Sequence, residues 1–331
     1  MAEMPGFTPG VNRPIIAGIP DLPPELRGAR AFDWLSSVGI ARRVRERFPG
    51  IDLAAVPDGL GPDVIIAAAP YPRALDGMVM AGDATALALA DDLGVALAGL
   101  AVMLALGPPE ARSARPDWPA EHWERRAAVR RIGLGGGIAS GALGRRLVAS
   151  ATAWLPRLGA GELQLRLADD PGSLALRGAA TRLPDGRAVL IDAGLTWIKR
   201  GLADVHGGRC VTLTTMAGVA PPLGTRAGAL ADFLADAAAD VVQGSSVPSA
   251  GFAVAADADT IGQPLADQPG LYGSLGTVPL ARRLADRLVD RLGYPITVQT
   301  VNDGDAAAAA MSGAVDAVIM LGTAIGVGLN V

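Results

Sequence analysis

The chain has 331 residues, half of them apolar and only 4% aromatic, enough for two medium domains whose cores are packed by small side chains. A formal charge of −4 argues against a dedicated nucleic-acid binder, which needs a basic face. Cys210 is the only cysteine, and His122 and His206 are the only histidines. That excludes disulfide scaffolds, four-cysteine zinc sites, cysteine-held clusters within one chain and multi-histidine metal sites, and it argues against a Ser-His-Asp triad.

Residues 1–30 are rich in proline and glycine and read as surface loop. Met1 to Pro14 shows no basic segment followed by an apolar one, so no signal peptide is expected. Ala31 to Phe48 carries Phe32, Leu35, Val38, Ile40 and Val44 at helical spacing, with arginines between them. Val64 to Ala69 is a short apolar run ending at Pro70, a buried strand or a short helix. Gly82-Asp83 precedes a long alanine–leucine helix ending near Leu106, with Asp83 as its cap. The longest apolar run, Leu93 to Leu106, is short for a bilayer span and is followed by Pro108-Pro109. It reads as a buried helix of a soluble, cytoplasmic protein. Ala111 to Glu121 reads as a surface loop.

Val129 to Leu134 is a strand entering a glycine turn, and Ser140 to Trp154 is the helix leaving it. Glu162 to Leu167 alternates like a strand, and Leu174 to Ala180 is a short helix of small residues. Pro184-Asp185-Gly186 is a strong turn signal. Ala188 to Ile191 then reads as a buried strand, Trp197 to Ala203 as its hairpin partner and Cys210 to Met216 as a third strand. Arg226 to Ala238 is a helix, a strand starts at Val241, and a stretch rich in Gly, Ser, Pro and Asp runs to Gly276. Pro279 to Leu292 is an amphipathic helix, Ile296 to Thr300 a strand, Asp303 to Gly313 a helix and Ala317 to Leu321 a strand. The pattern is mixed α/β.

Four segments carry chemistry. In Asp192-Ala-Gly-Leu-Thr-Trp-Ile-Lys199 an apolar strand ends in an aspartate and turns at Gly194. The glycine allows close approach to a phosphate, Thr196 adds a hydroxyl, and Asp192 is placed to hold hydrated Mg²⁺. Lys199, the only lysine in the chain, is a point charge near the phosphates or a surface residue. An ordinary hairpin turn reads the same way. Asn302-Asp303-Gly304-Asp305 follows a strand and opens an alanine-rich helix. The Asp303 carboxylate is either a helix cap or the acceptor of a hydroxyl proton, with Asn302 holding a neighbouring hydroxyl. Leu321-Gly-Thr-Ala-Ile-Gly-Val-Gly328 breaks a strand at Gly322-Thr323, an anion-binding turn or a glycine hairpin. Gly133-Leu-Gly-Gly-Gly-Ile138 fails the dinucleotide register, because its sixth position is Ile138 counted from Gly133 and Ser140 counted from Gly135. A turn on which an adenosine lies flat fits Gly135, Gly136 and Gly137 better.

Together these segments resemble the sugar kinase, hexokinase and actin-like ATPase superfamily, and within it the bacterial ROK kinases. That family's D-x-G-G-T-K-x-K-x-G is similar to Asp192 to Gly201, its N-D-A-N-A-A-A to Asn302 to Ala308, its G-T-G-I-G to Gly322 to Gly326 and its I-G-G-G-v to Gly133 to Ile138. Asp169 to Ala180 is similar to its final helix. The segments stand in rotated order, and Pro184-Asp185-Gly186 falls where the old C-terminus and old N-terminus would join. The resemblance therefore implies a circularly permuted chain with Met1 and Val331 on one domain. Leu195, Trp197 and Ala324 depart from the family pattern, its zinc motif has no counterpart, the stretch that supplies its sugar-binding glutamate and histidine is not placed, and Glu25 is a candidate for that glutamate only by position.

The resemblance implies an α/β fold of two actin-like (ribonuclease H-like) domains around a nucleotide cleft. Residues 187–301 would form the small domain, with 1–186 and 302–331 in the large one. It implies ATP-dependent phosphorylation of a sugar or sugar-like hydroxyl, with Asp303 as base and Asn302 as substrate contact. ATP would meet Gly135, Gly136, Gly137, Gly194, Thr196, Lys199, Gly322 and Thr323, with Mg²⁺ held through water at Asp192 and no zinc. The partner expected is a small-molecule substrate, not nucleic acid or membrane, and a homodimer is an open option. A sugar or nucleotide sensor of the same fold and an ATPase activator remain as alternatives; the latter normally needs cluster-binding cysteines.

Overall fold

The computed structural model describes residues 15–58, 62–114, 118, 120–221, 227–242, 246–255 and 279–330. In chain order, strands β1 (Ile15–Ile16) and β2 (Ala29–Arg30) precede helices α1 (Ala31–Leu35), α2 (Ser37–Arg47), α3 (Pro62–Ala68) and α4 (Tyr71–Met80). Helices α5 (Ala84–Leu106), α6 (Pro109–Ser113) and α7 (Ala120–Ala127) come next. Then follow β3 (Arg131–Gly135), α8 (Ala142–Trp154), β4 (Gln164–Leu167) and α9 (Leu174–Gly178). The rest of the chain forms β5 (Gly186–Ala193), β6 (Ile198–His206), β7 (Arg209–Val219), α10 (Ala227–Val242) and β8 (Ser249–Val254). It ends with α11 (Leu280–Leu292), β9 (Thr297–Asn302), α12 (Asp303–Ala310), β10 (Ala317–Leu321) and β11 (Ile325–Leu329).

The described residues divide into two packed units, Ser173–Ala310 and the remainder. This differs from the expected division in two places. Helix α9 and helix α12 group with the sheet of β5 to β9, and of the described residues after Ala310 the chain from Met311 onward groups with Ile15–Gly172. The cause is a close helix pair. A Cβ on Gly178 of α9 would lie 1.7 Å from the Ala306 carbonyl oxygen of α12, so the two backbones touch where only glycine fits. The chain termini, Met1 and Val331, lie outside the described residues.

In the Ser173–Ala310 unit the sheet order is β7-β6-β5-β8-β9. Strands β5, β8 and β9 run parallel, and β6 and β7 are antiparallel additions. Alternation decides the faces. Val189, Ile191, Ala193, Ala250, Phe252 and Val254 point into an apolar core shared with α10 and α11. The intervening residues, Asp192 among them, face the side that carries α9 and α12. Both parallel crossovers, through α10 and α11, thus bury one face and leave the other to two short helices of small residues.

In the other unit the sheet order is β11-β10-β3-β4. The carboxylate of Asp316, just before β10, accepts from the Arg130 and Arg131 N–H groups and from the Arg131 guanidinium, which fixes β3 against β10. Hydrogen bonding from Arg131 holds that carboxyl below the ordinary aspartate value. Helix α5 is the core of this unit, buried at every position from Leu93 to Ala105. Its first turn is capped by Asp83, whose Oδ1 accepts from Ala86 N–H at 2.8 Å. Among the described residues it is the one helix long and apolar enough to cross a membrane, and most of it is buried in its own unit.

The expected helix over 31–48 is two helices. Ser36 splits it: its Oγ accepts from Gly39 N–H and its hydroxyl donates to the Phe32 carbonyl, ending α1 and capping α2. The apolar run 64–69 is a helix, α3, not a strand. The expected loop 111–121 contains the end of α6 and the start of α7. The strand expected from Val241 begins instead at Ser249, because α10 continues to Val242.

Candidate functional site

The parallel strands β5, β8 and β9 end together. Their register aligns Ala193 with Val254 and Val254 with Asn302. Ligands of open α/β sheets gather beyond such carboxyl ends. The charged groups here lie at that edge, on the α9–α12 face.

Asp192, the penultimate residue of β5, is only 6% exposed. Lys199 stands directly opposite it in the β5–β6 register, so both side chains project from the same face. Their contact is direct, with Lys199 Nζ donating to Asp192 Oδ2 at 2.9 Å. The four residues between the strands, Gly194 to Trp197, make the turn. A Cβ at Gly194 would come within 2.7 Å of the Trp197 carbonyl oxygen, so this turn closes tightly. Trp197 is 50% exposed. Its indole lies on Gly218 of β7, where a Cβ would meet Nε1 at 2.1 Å. Thr196 is half-buried in the turn.

Asp303 opens α12 immediately after β9. The cap of that helix is its neighbour: Asn302 Oδ1 accepts from Gly304 N–H at 2.9 Å and from Asp305 N–H at 3.2 Å. Asp303 Oδ1 also accepts from Gly304 N–H, at 2.8 Å. The Asp303 residue keeps part of its surface in solvent, yet protein crowds its carboxyl on the other sides. That loss of hydration, reinforced by the negative charges of Asp192 and Asp305, pushes it up to about 7; the Gly304 N–H and the Lys199 ammonium pull the other way. An aspartate that titrates near neutrality at the carboxyl edge of a sheet can take up and release a proton under working conditions.

Among the described residues, no three acidic, histidine or cysteine side chains converge on one point. The donor set at Asp192 is a single buried carboxylate with a cation already against it. That suits an ion held largely through water and ligand oxygens, as Mg²⁺ commonly is, and not a protein cage.

The remaining predicted site residues, Gly135, Gly136, Gly137, Gly322 and Thr323, lie in the other unit. There they are brought together: the glycine turn after β3 sits on the end of β10. Gly136 N–H donates to the Pro171 carbonyl at 2.8 Å, and Ile138 N–H to the Leu321 carbonyl at 3.2 Å. Gly136 has φ +95°, and a Cβ there would lie 2.2 Å from the Leu321 carbonyl oxygen. Its glycine is therefore required by packing, while Gly137 has open space around it. Gly322, Thr323 and Ala324 form the short β10–β11 turn, closed by Gly322 N–H to the Ala324 carbonyl at 3.1 Å. The Gly322 carbonyl accepts from Ser37 N–H at the start of α2, at 3.0 Å. That seat on α2 carries no sequence motif. Gly136→Ala is expected to destabilise this unit by about 2–3 kcal/mol, read as a lower urea midpoint at unchanged slope.

No family model and no curated protein matches the chain. Among solved structures, one match is a ROK family glucokinase from Streptomyces griseus in complex with glucose and AMPPNP, at 26% identity and a TM-score of 0.33. The match covers 44% of this chain and 44% of that one, so it spans less than half of either.

Proposed function

We propose that this chain is an ATP-dependent kinase that phosphorylates a hydroxyl of a sugar or sugar-like small molecule. The observation that carries the reading is the Asp192–Lys199–Asp303 group: two carboxylates and one ammonium at the carboxyl edge of three parallel strands, with one carboxyl shifted to about 7. The resemblance of the surrounding segments to ROK kinases supports the same roles.

Asp303 accepts the proton of the substrate hydroxyl as that oxygen attacks the γ-phosphoryl group. Asn302 holds the start of α12 and thereby fixes Asp303. Its Oδ1 is committed to the cap, so any contact it makes with substrate comes from the amide nitrogen. The Gly194–Trp197 turn offers backbone N–H groups and the Thr196 hydroxyl to phosphate oxygens. Asp192 is the residue that would hold Mg²⁺ through water, where such an ion screens phosphate charge. Gly137, Gly322 and Thr323 are the candidates for nucleotide contact in the other unit. The permuted order is supported by the chain path: the sheet of β5 to β9 is built from one contiguous stretch of chain that begins with β5, whose first residue is Gly186 of Pro184-Asp185-Gly186.

The test is ADP release over a panel of hexoses, amino sugars and polyols. Release with one class of acceptor is expected. Nucleotide or sugar binding without turnover on any acceptor would instead favour a sensor.

A further inference from the structure

We infer that Lys199 is a resident counter-ion, which occupies the Asp192 carboxylate while no nucleotide is bound and hands it over when a metal–nucleotide complex enters. The inference rests on the proposed reading of Asp192 as the residue on the metal side.

Three observations lead to it. First, the Asp192 side chain is buried and its Oδ2 is in direct contact with Lys199 Nζ, at 2.9 Å. A buried carboxylate needs a compensating charge, and Lys199 supplies it. Second, Lys199 is the only lysine in a chain that otherwise uses arginine for every basic residue. An arginine in this place would clamp the carboxylate with a rigid fork. The lysine ammonium is a point charge on a flexible stem, with three rotatable donors, and can change partner without rebuilding the site. Third, the Lys199 side chain is about one-third exposed, at 32%, against 9% for Asp192. Its head can swing toward solvent, and toward a phosphate at the adjacent turn, while the carboxylate stays in place.

The consequence is an ordered exchange of cations. With Lys199 on Asp192, a free divalent ion meets an already neutralised carboxylate and gains little. When the ion arrives with phosphates, Lys199 has new anionic partners, and Asp192 is left for the ion. The negative charge at Asp192 is compensated in both states. The protein thereby favours a metal–nucleotide complex over the metal alone.

Because Lys199 is the sole lysine, labelling with ¹³Cε,¹⁵N-lysine yields one side-chain signal from the unaltered protein. MgCl₂ alone is expected to leave that signal in place, and Mg²⁺ with a non-hydrolysable ATP analogue is expected to move it. In parallel, Mn²⁺ titration of the nucleotide-free protein by electron paramagnetic resonance is expected to be about tenfold tighter in Lys199→Met than in wild type, the order expected when a like charge a few Å away is removed. Adding Asp192→Asn should cancel the gain. A lysine signal indifferent to the Mg²⁺–analogue complex, with analogue binding demonstrated by calorimetry, overturns the exchange and leaves the kinase reading standing. Equal Mn²⁺ affinity in wild type and folded Lys199→Met does the same. If calorimetry detects no binding of the Mg²⁺–analogue complex at all, the kinase reading itself fails.

Discussion

Asp303→Asn is expected to lower kcat by ~10²–10⁴-fold, the usual contribution of a positioned general base. Nucleotide affinity, measured by calorimetry, should stay nearly unchanged, because the substituted group acts on the acceptor hydroxyl. The same variant should be more stable than wild type in mildly alkaline buffer. In the folded protein the Asp303 carboxyl titrates near 7, against an ordinary 3.8. Between those values the native state holds a proton that the unfolded chain releases, so this group's contribution to stability falls as pH rises and is at its least above 7. Each pH unit across that window is worth about 1.4 kcal/mol, and the total is smaller than the full shift implies because part of Asp303 stays in solvent. The uncharged amide of asparagine removes the penalty. Its melting temperature should exceed that of wild type by several degrees above neutrality, and the gain should shrink on acidification and vanish near pH 4. For activity the sign is reversed. A base must be ionised, so wild-type kcat/KM should fall about tenfold per pH unit below 7, where the carboxyl is protonated. A variant that turns over at the wild-type rate would remove Asp303 from the mechanism.

Most strands of the two larger sheets were legible because their signals are local; β8 was not, because α10 runs on to Val242 where a strand was expected. Ala188 to Ile191 and Ala317 to Leu321 are apolar runs bounded by turn residues, and both are strands. Asp83 before an alanine–leucine run is a cap in sequence and in structure. Other features depend on contacts that spacing does not encode. The hydrophobic rhythm of 31–48 is continuous across Ser36, and only the two hydrogen bonds of its hydroxyl divide it. Helix α4 contains a proline and a glycine, which weaken its pattern, although Tyr71, Leu75 and Val79 mark a buried stripe. At the site, Asp192 and Asp303 stand out as carboxylates at strand ends. The sequence offers Asp303 as the cap of α12, whereas the structure gives that role chiefly to Asn302, whose amide oxygen accepts from two N–H groups where Asp303 accepts from one. The Asp192–Lys199 contact follows from a four-residue turn that sets position 192 opposite 199, a register fixed only once the hairpin is folded.

The coupling between scaffold and site predicts the second large effect. Gly178→Val is expected to reduce activity and stability together, although residue 178 belongs to none of the motifs that carry chemistry. At Gly178 the α9 backbone meets the α12 backbone, and even a methyl group would lie 1.7 Å from the Ala306 carbonyl oxygen. That neighbour is main chain of a helix, so it cannot swing aside as a flexible side chain could. Valine must therefore push α12 away from α9, at a cost of about 3 kcal/mol or more. Asp303 is the first residue of the displaced helix. Its pKa depends on burial and on the nearness of Asp192, so a shifted helix loses both, and the carboxyl should fall back toward the ordinary range. The readouts are a lower melting temperature, a drop in kcat and an acid limb of the pH–rate profile moved to lower pH. Asp303→Asn removes the base and leaves the helix in place, whereas Gly178→Val keeps the base and moves the helix. A Gly178→Val protein that melts lower but retains the wild-type pH–rate profile would show that α12 does not transmit its packing to Asp303.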